Sequence, residues 1–429
     1  MKRVLIISFY FPPCGGASVQ RWLRFIKHLP NLGWQPTILT ASESDYSVLD
    51  PTLAHKVPLS TKVIRTKRSL SSKLFSFVKP KSNDEFPYGT LLSQKDDPLI
   101  KKLLYWTRLN IVTPDSRVFW SKAAYNLAKE ELRSKKYSLI ITTGPPHSSH
   151  LVGMKLKEST PLPWIADFRD PWTDIYYLQS AKQNPIIKEI NKELEKSVLK
   201  KADAAIIISK PIADSLPKGN KHVLVNGFEE EDFLDIKRTK SSFFRIKYVG
   251  KLTEGQDIKA PLRWLSEYCK QDEKKNITFS LVGTNFQNAK DIQRKHPCFH
   301  LRTTPQLSHR EAINEMVNSE LLLLLINQCP HNKGILTTKF FEYIAARPYI
   351  IAIGPKESEV AKYLSEYKAG EIIDYQDKMG FISVVKQKYE QWASGELQRN
   401  ESDISSLSAE EQTKELVNIF NSVIEREEL

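Results

Sequence analysis

The sequence predicts an α/β protein made of two consecutive Rossmann-like domains, each a doubly wound parallel sheet, facing each other across a cleft. Three observations carry this expectation. Short β-branched apolar runs alternate with stretches of helical spacing along most of the chain, as strand–helix–strand units of a parallel sheet require. The alternation breaks once, at the acidic patch Glu229–Asp232 and the basic, polar stretch Lys237–Ser242, and then restarts. Finally, 429 residues are too many for one core, since domains usually hold roughly 100–200 residues.

The first run, Arg3 to Phe9, ends in the breaker cluster Pro12-Pro13-Cys14-Gly15-Gly16. Val19, Trp22, Leu23, Phe25, Ile26 and Leu29 then recur at helical spacing, which predicts strand, glycine loop and helix. Further strands are expected at Pro36–Thr40, Ser138–Thr142, Trp164–Phe168, Ala204–Ile208 and Val223–Val225, with helices over 117–135, 147–158 and 185–201. After the break come expected strands at Ile246–Gly250, Thr278–Val282, His300–Arg302, Leu321–Ile326, Tyr349–Ile353 and Glu371–Ile373. The expected domains are therefore 1–235 and 236–407, and a last helix over 408–429 is free to pack back on the first domain. A basic insertion at about 56–112 interrupts the first domain, and residues 56–81 hold eight Lys or Arg and no acid.

The net charge of +13 sits entirely in the first half. Residues 1–228 hold 35 Lys+Arg against 19 Asp+Glu, and the remainder 28 against 31. A basic half suits nucleic acid, an anionic membrane or an acidic substrate. No nucleic-acid motif accompanies it, so nucleic acid is not expected as a partner. No apolar run approaches the roughly 18 residues that span a bilayer. The N-terminus lacks a leader pattern, and the four scattered cysteines suit reduced thiols, so a cytoplasmic location is expected.

Four constellations carry chemistry. Gly15 and Gly16, between strand and helix, let a ligand approach the backbone and the free N–H groups of the following helix. Thr143 to His150 stands at another strand end and offers His147 and His150 as donors or bases. In Ala166 to Trp172, Asp167 and Asp170 flank Arg169, where they suit acceptor hydroxyls or a base. In Gly334 to Ile351, Thr337 or Thr338 caps a helix whose amides, with Lys339, suit a diphosphate, while Glu342 suits ribose hydroxyls.

Taken together, YFPPCGGASVQRWLRFIKHL, GPPHSSH, ADFRDPW, ADAAIIIS, VNGFEEEDF, YVGKL and TKFFEYIAARPYIIA resemble a retaining, nucleotide-sugar-dependent glycosyltransferase of the GT-B fold, family 4 type. The resemblance implies that Gly15 and Gly16 face the donor phosphate and acceptor, that Lys251 neutralises the diphosphate, and that Glu342 is the second acid of the family's E-x7-E element. Gly334 stands where that element carries its first acid, and no basic residue follows Lys251 until Lys259. The implied catalytic set is Lys251, His147, His150 and Asp170, with Gly15, Gly16, Thr337, Thr338, Lys339 and Glu342 on the donor and Asp167 and Arg169 on the acceptor. No metal or other cofactor is expected. The implied partners are a nucleotide-sugar donor, a glycan or lipid-linked acceptor, and an anionic membrane surface met by Lys67, Arg68, Lys73 and Lys79, in bacterial surface polysaccharide synthesis. The alternatives are a nucleotide-sugar epimerase of the same fold, or a non-catalytic basic protein that binds membrane or nucleic acid.

Overall fold

A computed structural model of the chain describes residues 1–67, 99–175, 183–253, 255–270, 276–284 and 289–428. Its strands are β1 (Lys2–Ser8), β2 (Trp34–Thr40), β3 (Lys62–Arg65), β4 (Leu139–Gly144), β5 (Trp164–Phe168), β6 (Ala204–Ile207), β7 (Lys221–Val223), β8 (Phe244–Val249), β9 (Ile277–Val282), β10 (His300–Thr304), β11 (Leu321–Leu325), β12 (Tyr349–Ile353) and β13 (Gly370–Ile373). The helices used below are α1 (Gln20–His28), α2 (Leu99–Asn110), α3 (Val118–Ser134), α4 (Ser148–Ser159), α5 (Pro185–Lys201), α6 (Lys259–Cys269), α7 (His309–Val317), α8 (Thr338–Ala346) and α9 (Ala409–Glu428).

The strands form two parallel sheets, ordered β3-β2-β1-β4-β5-β6-β7 and β10-β9-β8-β11-β12-β13. Each is a Rossmann-like sheet, with its topological switch between β1 and β4 or between β8 and β11. Ligands of open α/β sheets bind at such points, outside the carboxyl ends of the strands.

The chain divides into two compact units, Met1–Val225 with Ala409–Leu429, and Asn226–Ser408. The acidic patch at 229–232 thus begins the second unit instead of ending the first. In the first unit, Val4, Leu5, Ile6 and Ile7 of β1 are fully buried, as are Ile140 and Ile141 of β4 beside them. The apolar face of α1 (Trp22, Leu23, Phe25, Ile26) covers this layer. Helix α9 buries Leu416, Phe420 and Val423, and the Phe420 ring meets Trp34 edge-on at 5.0 Å. In the second unit, Phe244, Ile246, Phe279, Leu281, Leu323 and Ile351 form one buried core with Trp264 and Leu265 of α6.

Two expectations are overturned. The region from residue 56 is not wholly an insertion, because Lys62–Arg65 pairs with β2 as the edge strand β3. An edge strand needs no continuous apolar run, and KVIR is only half buried. Two of the supposed free charges are paired there: Lys62 Nζ lies 2.6 Å from Glu131, and Arg65 Nε 3.3 Å from Glu43. The seventh strand is Lys221–Val223, earlier than Val223–Val225, because the carbonyls of Leu224 and Val225 turn away to accept hydrogen bonds from Arg21.

Candidate functional site

In the second unit, the site grows from the first turn of α8. Thr337 takes extended backbone before the helix, yet its hydroxyl makes no cap and is buried without a hydrogen-bond partner. Thr338 Oγ1 lies 3.4 Å from Asn226 Nδ2. Lys339 turns its ammonium toward the end of β8, donating to the Tyr248 hydroxyl at 2.7 Å and lying 4.3 Å from that ring's centre. Burial pushes Lys339 down to about 8, and the nearby Glu342 charge only partly opposes this. A half-buried cation held by one phenol is short of counter-charge, which a diphosphate would supply.

Glu342, one turn further, is buried with its carboxylate 3.1 Å from His309 Nε2. The other ring nitrogen of His309 is 3.7 Å from Asp232. His309 is fixed because α7 starts with a capping box between Ser308 and Glu311.

The loop after β8 is organised by residues that sequence reading missed. Gln256 Oε1 accepts from the Thr253 amide at 3.1 Å and lies 3.0 Å from the Tyr248 hydroxyl, while its amide donates to the Leu325 carbonyl at 2.8 Å. Thr253 also meets Asn327. The available signal was a tyrosine inside a strand, since a buried phenol needs a polar partner. Gly250 has φ +132°, so glycine is required for conformation, and a Cβ there would stand 2.9 Å from Lys339 Nζ and displace the ammonium. Lys251 is exposed on this loop and its carbonyl lies 3.0 Å from the Tyr248 hydroxyl. Gly334 is buried in the short turn before α8. A cavity of about 290 Å³ lies between α6 and the carboxyl ends of β11 and β12, lined by Gly255, Trp264, Ile326, Gln328, Ile353 and Tyr375; Tyr248, Lys339 and Glu342 do not line it.

In the first unit, the polar residues at the strand ends serve the fold more than a ligand. Asp167 is fully buried: it accepts from Arg21 Nε at 3.2 and 3.3 Å, Trp22 Nε1 at 2.8 Å and Thr143 Oγ1 at 2.8 Å. It is a buried ion-pair anchor, not an acceptor contact. His150 is also fully buried, stacked on Phe168 at 4.5 Å with Nδ1 2.9 Å from Thr142 Oγ1. Burial, reinforced by the Arg169 charge, pushes His150 down to about 3, so it is neutral and out of reach as a base. His147 stacks on Trp172 at 4.9 Å and is held well below the ordinary histidine value, chiefly by burial. Arg169 donates Nε to Gly144 O at 3.2 Å, with its terminal nitrogens on Pro145 O and Ser18 O. It therefore holds main-chain carbonyls instead of standing ready for an acceptor. Asp170 beside it is exposed.

Gly15 is buried, and a Cβ there would come within 3.0 Å of Val48, which gives it a packing reason to be glycine. Gly16 is exposed with φ +92° and open space around it. Lys67 is exposed, whereas Arg68, Lys73 and Lys79 lie outside the described residues. Among the described residues no group of three His, Cys, Asp or Glu could hold a metal ion, and no helix is long and apolar enough to cross a membrane.

No protein-family model matches the sequence, and no curated protein matches it. Solved structures do match across nearly the whole chain. A sucrose-phosphate synthase from Thermosynechococcus elongatus aligns over 99% of this chain and 97% of its own at 14% identity, with a TM-score of 0.57. An alpha,alpha-trehalose 6-phosphate synthase from Burkholderia multivorans aligns over 99% of both chains at 10% identity and a TM-score of 0.60. Anabaena HepE, solved in complex with UDP-glucose, covers 99% of both chains at 12% identity and a TM-score of 0.54. At these identities the likeness is one of fold.

Proposed function

We propose that this chain is a glycosyltransferase that moves a sugar from a nucleoside-diphosphate sugar to a glycan or lipid-linked acceptor. The observation that carries the reading is Lys339: a half-buried ammonium at the start of α8, with the Tyr248 hydroxyl as its hydrogen-bond partner and the unpaired Thr337 hydroxyl nearby in sequence. When the anomeric bond breaks, negative charge grows on the leaving β-phosphate. Groups already aimed at that charge lower the barrier without reorganising. Lys339, Lys251 and the amides of the first turn of α8 take that role, and no metal enters the proposed step. Glu342, oriented by His309, takes the ribose hydroxyls.

The fold supports a nucleotide-sugar enzyme, since the similar structures include two sugar-phosphate synthases and one complex with UDP-glucose. Retention of anomeric configuration, a family 4 type and a role in surface polysaccharide synthesis rest on the sequence resemblance. So does a cytoplasmic enzyme meeting a lipid-linked acceptor at the inner face of a membrane. That last point has support from α2, where Leu99, Leu103 and Trp106 are exposed on a helix whose sequence includes Lys101, Lys102 and Arg108 and no acid.

A thermal-shift screen of UDP-, GDP- and dTDP-sugars tests the donor half. A donor at 100 times its dissociation constant should add about 2.7 kcal/mol of stability. Product analysis with and without acceptor then separates transfer from epimerisation. If no nucleoside-diphosphate sugar stabilises the protein, the proposal fails.

A further inference from the structure

In the first unit both Arg21 and the half-buried Arg169 reach main-chain carbonyls, but among the described residues the side-chain hydrogen bonds of Arg169 include no carboxylate. Arg21 meets a carboxylate, but Arg169 spends its guanidinium on main-chain oxygens: Nε on Gly144 O, one terminal nitrogen on Pro145 O at 2.5 Å, and the other on Ser18 O. Its own amide also donates to Gly144 O at 3.1 Å. These carbonyls belong to two different loops. Ser18 follows Gly15 and Gly16 after β1, whereas Gly144 and Pro145 end β4 and lead into His147 and α4. Strands β1 and β4 are the neighbours that flank the switch point of this sheet.

A planar fork with five N–H groups can hold three oxygens at fixed mutual distances, which a lysine's single ammonium cannot do. Fixing the two loops to each other matters because, among the described residues, the backbone bonds of the glycine loop run to another segment, Gly15 N to Val48 O and Asp50 N to Pro13 O, and not to the Gly144-Pro145 loop. Resting on the reading above, we propose that Arg169 is a positioning residue: it locks the glycine loop to the Gly144-Pro145 loop, so that Gly16 and its neighbours meet the substrate in one preset geometry.

The experiment uses the full chain with Arg169→Lys and Arg169→Gln. A positioning role splits the kinetics: kcat should fall by about 100-fold, the cost of a displacement of about 1 Å in the reacting groups. The donor KM should change less than about threefold, since Lys339 and Glu342 lie in the other unit. Hydrogen exchange provides a second readout that needs no activity. The amides of Cys14, Gly15, Ser149 and His150 are all hydrogen-bonded within or beside these loops, and their exchange should quicken in both variants while that of the β1 core does not. Wild-type kcat in Arg169→Lys, or unchanged exchange at those amides in Arg169→Gln, would overturn the proposal. Should the wild-type enzyme transfer no sugar at all, the functional reading fails by itself, and the exchange measurement still decides whether Arg169 clamps the loops.

Discussion

The two units use the same sheet architecture but treat charge at their strand ends in opposite ways. In the first, Asp167 and Arg21 neutralise each other out of solvent, His150 is buried neutral, and Arg169 is committed to three carbonyls. In the second, Lys339 is half-buried and leans on a phenol, and the Thr337 hydroxyl is buried with no partner. A polar group whose bonding is complete stabilises a fold. Unpartnered buried atoms occur in both units, Ser149 Oγ and His150 Nε2 in the first and Thr337 Oγ1 in the second, so what distinguishes the second is its cation: Arg21 has a carboxylate, whereas Lys339 has a phenol, which is why the donor is proposed there.

The largest effect expected from this contrast is on the scaffold side. Asp167→Ala leaves the Arg21 guanidinium buried without its carboxylate, which should cost about 3–5 kcal/mol of folding free energy. Urea unfolding measures it, and a loss below about 1 kcal/mol would mean that the pair is not the anchor described.

On the donor side the effects are smaller and fall on binding. Lys339→Met should weaken binding of a nucleoside-diphosphate sugar by about 1.5–3 kcal/mol, the range for hydrogen bonds to charged groups. It should leave the fold intact or firmer, because it removes a desolvated charge. The pH dependence has a definite sign. With Lys339 pushed down to about 8, the free protein loses this proton as pH rises through 8, so the donor dissociation constant should increase by up to about tenfold per pH unit above it. Folding stability should move the other way. The unfolded chain still holds the proton between about 8 and the ordinary lysine value, so stability contributed by this group rises with pH across that window. Calorimetric titration at pH 7 to 9.5 reads the first trend. A flat profile in the wild type, or one unchanged in Lys339→Met, removes Lys339 from the donor site.

Glu342→Ala should show a comparable or smaller loss, about 1.5 kcal/mol in donor KM, because one charge-assisted bond to ribose is removed while His309 keeps its neighbour Asp232. A KM that does not move would reassign Glu342 to orienting His309 alone.

The architecture was largely legible in the residues, and for a definite reason. Val4–Ile7, Leu139–Ile141 and Leu321–Leu325 are buried on both faces of a parallel sheet, so they read as continuous apolar runs with helical spacing between them. The edge strand β3 escaped because half of its surface is solvated. Lys339 and Glu342, the residues proposed for the donor, could be named from the sequence because an α-helix start is a local pattern. Tyr248, Gln256 and His309 could not, since their roles depend on which loops the strand order brings together.

The sequence by itself therefore determined what depends on neighbours a few residues apart: strand and helix periodicity, the glycine breaks, the position where α8 starts, and the surplus positive charge of the first half. The tertiary structure alone decided which charges are spent. Arg21 and Asp167 stand 146 residues apart and meet only because β5 lies in register beside β4, next to the β1 from which α1 departs. Lys339, 91 residues beyond Tyr248, finds a phenol instead of a carboxylate. Pairing at such separations is set by sheet order and burial, and desolvation then determines whether an ionisable residue is a structural pair, a neutral ring or a cation that a ligand must satisfy.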